Sequence, residues 1–193
     1  VALGLASDGA DIGNGLGTTP LPGQTVSVSA KGYALAAATP STAAVTMSAF
    51  HVGSTSSGNF QVQNTGVGPS GYVEALYVAT FAGMNHGQLS STPYLAPVGQ
   101  GASDTVSLSL TGGAAGQNSG IVILSLTSDG NAIGNGLGLT SLAGQSVTVT
   151  ATGYNYAAPQ YQKAGGDGTL TGSGTAYTLD FGTVVAGTTL SAS

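Results

Sequence analysis

The sequence predicts an all-β protein built as Ig-like antiparallel β-sandwich repeats. Apolar and polar residues alternate with a period of two in several segments. Glycine, proline, asparagine and serine punctuate between those segments, and none of them sustains a helical period.

The elements follow in chain order. "VTMSAF" (Val45 to Phe50) is a short apolar strand. "NFQVQNTG" (Asn59 to Gly66) alternates Phe60 and Val62 with amides, as a strand with one wet and one buried face does. "GYVEALYVATF" (Gly71 to Phe81) is more continuously apolar, as central strands are. A short weak strand is expected near "HGQLS" (His86 to Ser90). "TVSLSLTG" (Thr105 to Gly112) alternates Val106, Leu108 and Leu110 with hydroxyls. "GIVILSLTSDG" (Gly120 to Gly130) reads as a second central strand, and "QSVTVTATG" (Gln145 to Gly153) alternates Val147, Val149 and Ala151 with threonine. These make about seven strands in one unit, the strand count of an Ig-like sandwich. Leu108, Leu124, Val147 and Val149 are its expected core.

The chain repeats itself. Val1 to Ala37 lies over Val122 to Ala158 without a gap, and 23 of 37 positions are identical. The match includes "SDGADIGNGLG" from Ser7 and "SDGNAIGNGLG" from Ser128. Beyond it, Tyr177 to Ser193 looks like a diverged relative of Val45 to Asn64. The expected organisation is therefore residues 1–38 as the last strands of a preceding repeat, 39–158 as a complete repeat, and 159–193 as the first strands of the following one. The sequence opens within a strand pattern, and we read it as a portion of something longer. Apolar faces at the two ends, including Leu3, Leu5, Val26, Leu179 and Phe181, are expected to be open to pairing.

Three stretches carry a resemblance to a known family: "DFGTVVAGTT", the "NTG" that closes a strand, and "LTSDG…GLGLTSLAGQSVTVTATGY". Together they resemble the choice-of-anchor D repeats of large bacterial exported proteins, Ig-like modules related to the Hydin (ASH) domains. The resemblance covers nearly all of the chain and is most specific from Leu126 to Tyr154. It implies a tandem sandwich array on a secreted or cell-surface protein and no catalytic activity. "FHVG" (Phe50 to Gly53) departs from it where "FGTV" (Phe181 to Val184) conforms.

Composition excludes several partners. Only 5% of residues are charged, against a usual share of about a quarter. Lys31 and Lys163 are the only cationic side chains apart from the histidines, too few to displace counterions from phosphates or to hold an anionic membrane surface. Hydroxyls and amides must supply the solubility. No cysteine offers a disulfide or thiolate site, and no apolar run has the length of a membrane-crossing helix.

The candidate sites are weak. Asp8, Asp11 and Asn14 in the first glycine phrase, with Asp129 and Asn135 in the second, have the oxygen ligands of a calcium loop. Ala132 replaces Asp11 in the second copy, whereas the glycines and Ile12/Ile133, Leu16/Leu137 and Leu21/Leu142 persist. The phrase is therefore expected to be a structural connection folded over one end of the sandwich, with those apolar residues plugging the core. "GGDGTL" (Gly165 to Leu170) is one turn of a pattern that binds calcium only when stacked.

His51, His86 and Asp104 lack any nucleophile motif around them, and because Glu74 is the sole glutamate, a paired carboxylate centre for glycoside chemistry would have to borrow an isolated Asp. Lys31 and Lys163 do not recur at a core position, which a lysine cross-link would require. Tyr33 and Tyr154 recur after the last strand and are expected to pack at the junction between units. No catalytic residue, cofactor or metal is assigned. The expected function is a spacer or fibre-forming repeat of an extracellular or cell-surface bacterial protein. Its partners would be further copies of the repeat, in the same chain or in neighbouring subunits. The rival expectation is an adhesin-type module that binds a surface glycan or protein through its end loops.

Overall fold

The computed structural model describes residues 1–193, and the period-two segments are strands in it. β1 (Ala2–Asp8) and β2 (Thr18–Thr25) form a hairpin on their own. The sandwich begins with three short strands, β3 (Ala38–Pro40), β4 (Ala44–Thr46) and β5 (Phe50–His51). It continues through β6 (Thr55–Asn64), β7 (Ala75–Met84), β8 (Gln88–Ser91) and β9 (Tyr94–Val98). β10 (Ser103–Thr111), β11 (Gly116–Asp129), β12 (Leu139–Ser141) and β13 (Gln145–Tyr154) complete it. A last hairpin joins β14 (Thr169–Ser173) to β15 (Ala176–Asp180). The one helical segment is a short 3-10 turn at Asn131–Ile133, and no helix is long and apolar enough to cross a membrane.

One sheet of the sandwich runs in the order β3-β6-β10-β8. The other runs β4-β13-β11-β7-β9, with β12 beside the end of β11 and β5 beside β13. The inward residues of the first, Phe60, Val62, Val106, Leu108 and Leu110, share one core with Leu76, Val78, Val122, Leu124, Val147 and Val149 of the second. Leu108, Leu124, Val147 and Val149 are buried as their alternation requires. Every residue of the core cluster lies between Ala36 and Ala151.

Two features go beyond the expected strand pattern. The first strand is divided between the sheets: Ala38 to Pro40 pairs antiparallel with β6, and Ala44 to Thr46 pairs parallel with β13. β9 was also not expected, because it is short and contains Pro97. It lies at the edge of its sheet, where a missing N–H costs no ladder bond.

The first hairpin copies part of the sandwich. Ala2 pairs with Thr25 and Leu3 with Gln24, as Ile123 pairs with Ser146 and Leu124 with Gln145. Ser7 pairs with Thr19 and Asp8 with Thr18, as Ser128 pairs with Thr140 and Asp129 with Leu139. In the sandwich the other edge of β11 is covered by β7, whereas β1 has β2 as its only neighbour. Leu3, Leu5, Val26 and Val28 are exposed, as are Leu179, Phe181 and Val184 in the last segment. There β14 and β15 pair with each other, while the corresponding early stretch of the sandwich gives one strand to each sheet.

Candidate functional site

The repeated glycine phrase folds the same way twice. Gly13, Gly15 and Gly17 have φ of 66°, 70° and 65°, and Gly134, Gly136 and Gly138 have 69°, 76° and 78°. Residues with a Cβ avoid this left-handed conformation, so "GNGLG" needs its glycines for the turn itself. The hydrogen bonds recur with the dihedrals. Gly9 N–H donates to Gly17 O at 2.9 Å and Gly130 N–H to Gly138 O at 2.8 Å. Asn14 Oδ1 accepts from Leu16 N–H at 3.0 Å, and Asn135 Oδ1 from Leu137 N–H at 2.8 Å.

Asp8 and Asp129 are drawn into the same turns, each through one carboxylate oxygen. Asp8 Oδ1 accepts from Ala10 N–H at 2.9 Å, and Asp129 Oδ1 from Asn131 and Ala132 N–H at 2.9 and 3.1 Å. These are Asx turns, in which the side chain holds its own backbone. Asp11 is exposed on the first loop, and nowhere do three His, Cys, Asp or Glu side chains gather. The melting temperature is expected to be unchanged by EDTA. A fall of many degrees that calcium reverses would give Asp8, Asp11 and Asp129 a ligand role.

The expected apolar plug needs correction. Ile12, Leu16, Ile133 and Leu137 are exposed, and of the paired residues only Leu142 packs against the core. The loop is closed by its own backbone and Asn hydrogen bonds, and these apolar side chains are turned outward.

What lies beneath the second loop is polar. Glu74, placed just before β7, is 2% exposed. Its Oε2 accepts from Ser128 Oγ at 2.7 Å and its Oε1 from Asn135 Nδ2 at 2.8 Å. A carboxylate inside a sandwich requires such donors, because burial without partners is costly. Gly130 makes room for the arrangement: a Cβ there would collide with Asn135 Oδ1 and fall 2.8 Å from Glu74 Oε1. Asn135 therefore holds its loop with the amide oxygen and the carboxylate with the amide nitrogen.

The chain entering the sandwich is bound to the same cluster. Ala34 N–H donates to Tyr72 O at 2.8 Å, and Glu74 N–H donates back to Ala34 O at 3.0 Å. Ala36 N–H donates to Ser128 Oγ at 2.8 Å. Asn64, fully buried, accepts from Ala37 N–H and Gly66 N–H and donates to Glu74 O and Val98 O. The Tyr33 ring stacks on Tyr72 with centroids 5.2 Å apart. Every buried side-chain nitrogen or oxygen has a partner, Asn118 included, whose amide closes the β10–β11 turn on Ala114 and Gly116.

The remaining candidates are dispersed. His51 stacks on Tyr156 at 4.3 Å, and His86 lies in the turn between β7 and β8. Asp104 Oδ1 accepts from Thr105 N–H. Lys31 is exposed, and Lys163 donates to the carbonyls of Gly166 and Gly168 in the "GGDGTL" loop, where Asp167 accepts from Ser191 N–H. Tyr154, the counterpart of Tyr33, is exposed. Glu74, Ser128 and Asn64 were not singled out as a cluster by sequence. The signal available was a lone glutamate within an apolar strand of a chain nearly free of charge.

No protein-family model matches the chain, and no curated protein matches it. Among solved structures it is similar to the ASH/PapD-like domain of human CEP192, at 10% identity and a TM-score of 0.47, covering 70% of this chain and all of that one. AggA, the major subunit of aggregative adherence fimbriae type I of Escherichia coli, is similar at 15% identity and a TM-score of 0.36, over 64% of this chain and 98% of that one. SSP-19, an MSP-domain-like protein of Caenorhabditis elegans, is similar at 16% identity and a TM-score of 0.33, over 54% and 94%. The choice-of-anchor D resemblance rests on the sequence alone.

Proposed function

We propose that the chain is a structural repeat module, a spacer or fibre-forming segment of a long secreted or cell-surface bacterial protein. The observation that carries this reading is the bound connection. At the end of the duplicated stretch Ala34, Ala36 and Ala37 are hydrogen-bonded to Tyr72, Glu74, Ser128 and Asn64 of the sandwich, and Tyr33 stacks on Tyr72. A free linker would let successive units swing, and a hydrogen-bonded one fixes their angle. The duplicated phrase contributes to this joint through Ser128, which accepts from Ala36 N–H, and Asn135, which donates to Glu74. Glu74, the sole glutamate, is buried and already has two donors.

The test is the shape of longer chains. Small-angle scattering on chains lengthened by one and by two repeat periods should show the largest dimension rising by equal steps. Unequal steps, or a compact particle, would overturn the spacer reading. Binding through the end loops is the second reading, and the outward Ile133, Leu137 and Leu139 favour it. A glycan array and a panel of host-surface proteins test it, with binding lost on Leu137→Ser.

A further inference from the structure

We infer that β1 and the loop after it form a receptor for a strand of the type Tyr72 to Met84, and that Ser7 and Asn14 hold the glutamate this strand carries. The inference rests on the repeat reading above and adds to it the residues that join one strand to the next. The occupant is a strand of a repeat ahead of Val1 in the same polypeptide. A second copy of this chain is a poor donor, because its β7 is already held between β11 and β9.

The sandwich contains the completed version of this site. There β7 pairs antiparallel along β11, with Leu76 opposite Ser128 and Ala75 opposite Asp129. That register places Glu74 on Ser128 Oγ and Asn135 Nδ2. The first hairpin reproduces the β11 side of the arrangement in pairing, dihedrals and loop hydrogen bonds. Ser7 stands where Ser128 does, and Asn14 stands where Asn135 does. Asn14 uses its Oδ1 on Leu16 N–H, as Asn135 does on Leu137, which leaves its amide N–H groups for an acceptor. Gly9 matches Gly130, so the space that admits a carboxylate is kept. Leu3 and Leu5, the counterparts of buried Leu124 and Leu126, are 41% and 37% exposed and mark the face that such a strand would help to cover.

Asp11 sharpens the assignment. It is the loop carboxylate that the second copy lacks, while the serine and asparagine that touch Glu74 are present in both. The two copies therefore share the glutamate-holding side chains and differ at the residue a cation would want.

The test places a second copy of residues 39–121 directly ahead of Val1 in the full chain, and reads amide hydrogen exchange in β1. The β1 amides are expected to gain at least ~100-fold protection over the original chain. Asn14→Leu and Ser7→Ala in the lengthened chain should each reduce that protection at least ~10-fold, as should replacing the glutamate of the added copy by leucine. If β1 gains protection and these three variants are silent, the glutamate assignment is overturned and the repeat reading stands. If β1 gains none, both fail. Concentration-dependent dimers of the original chain that protect β1 would assign the edge to a second copy and overturn the inference.

Discussion

Asn64→Leu is expected to lower the stability of the sandwich by roughly 3–5 kcal/mol, or to prevent folding. Asn64 ends β6 with no exposed surface, and its amide satisfies four backbone groups. Its Nδ2 donates to Glu74 O and Val98 O, each at 3.0 Å, and its Oδ1 accepts from Gly66 N–H at 3.1 Å and Ala37 N–H at 3.3 Å. Leucine keeps the number of side-chain heavy atoms but has no polar one and is larger, so the loss is chiefly one of hydrogen bonding with some overpacking added. Each buried backbone group left unpaired costs about 1–3 kcal/mol, and water that enters recovers only part of it. Denaturant unfolding followed by circular dichroism measures the change. A loss under about 1 kcal/mol would mean that these four groups find other partners with ease.

Leu124→Ala is expected to cost about 2–5 kcal/mol. Leu124 lies near the middle of β11 between Thr80 on β7 and Gln145 on β13, fully buried in the core. Truncation removes transfer free energy and leaves a cavity that two hydrogen-bonded neighbours prevent from collapsing. Ile123, one residue earlier, points to the other face and is 49% exposed. Ile123→Ala should therefore cost less than about 1 kcal/mol. The contrast between adjacent residues tests the face assignment directly, because a one-residue slip of β11 would exchange the two effects.

Much of the fold was legible because a sandwich strand is half buried. Val147, Val149 and Ala151 alternate with threonine, and burial follows that alternation residue by residue along β13. The phase of Val106, Leu108 and Leu110 on β10 is equally plain. The division of the first strand was not legible. Nothing local in "ATPSTAAVT" distinguishes pairing with β6 from pairing with β13, since both partners arrive from distant chain. β9 was hidden by Pro97, which argues against a strand everywhere except at an edge.

The site was legible only in its outline. Repetition drew attention to the glycine phrase, and its asparagines do hold the turn. The apolar residues of that phrase suggested a plug because hydropathy counts side chains and is blind to a backbone that closes on itself. Glu74 escaped because its donors stand 54 and 61 residues away in sequence. What sequence could have supplied was the need: a carboxylate in the run "VEALYV" must find donors, and the chain has almost no cations to offer.

In the proposed array, the divided first strand has a mechanical consequence. Tension on such an array would reach a unit at Ala34, where the connection is first hydrogen-bonded to it, and leave it at Tyr154. β4 and β13 run parallel between those points, tied by Met47 N–H to Thr150 O and Thr148 N–H to Ala43 O. Val52 N–H to Tyr154 O continues the line along β5. Pulling the two ends apart slides these strands past one another and loads the bonds together, whereas a terminal hairpin would unzip one bond at a time. Resistance to force is set by the barrier to this sliding and not by the equilibrium stability of the core. A sandwich with few charges and an ordinary core can thus act as a stiff link, with its short edge strand as the shear clamp.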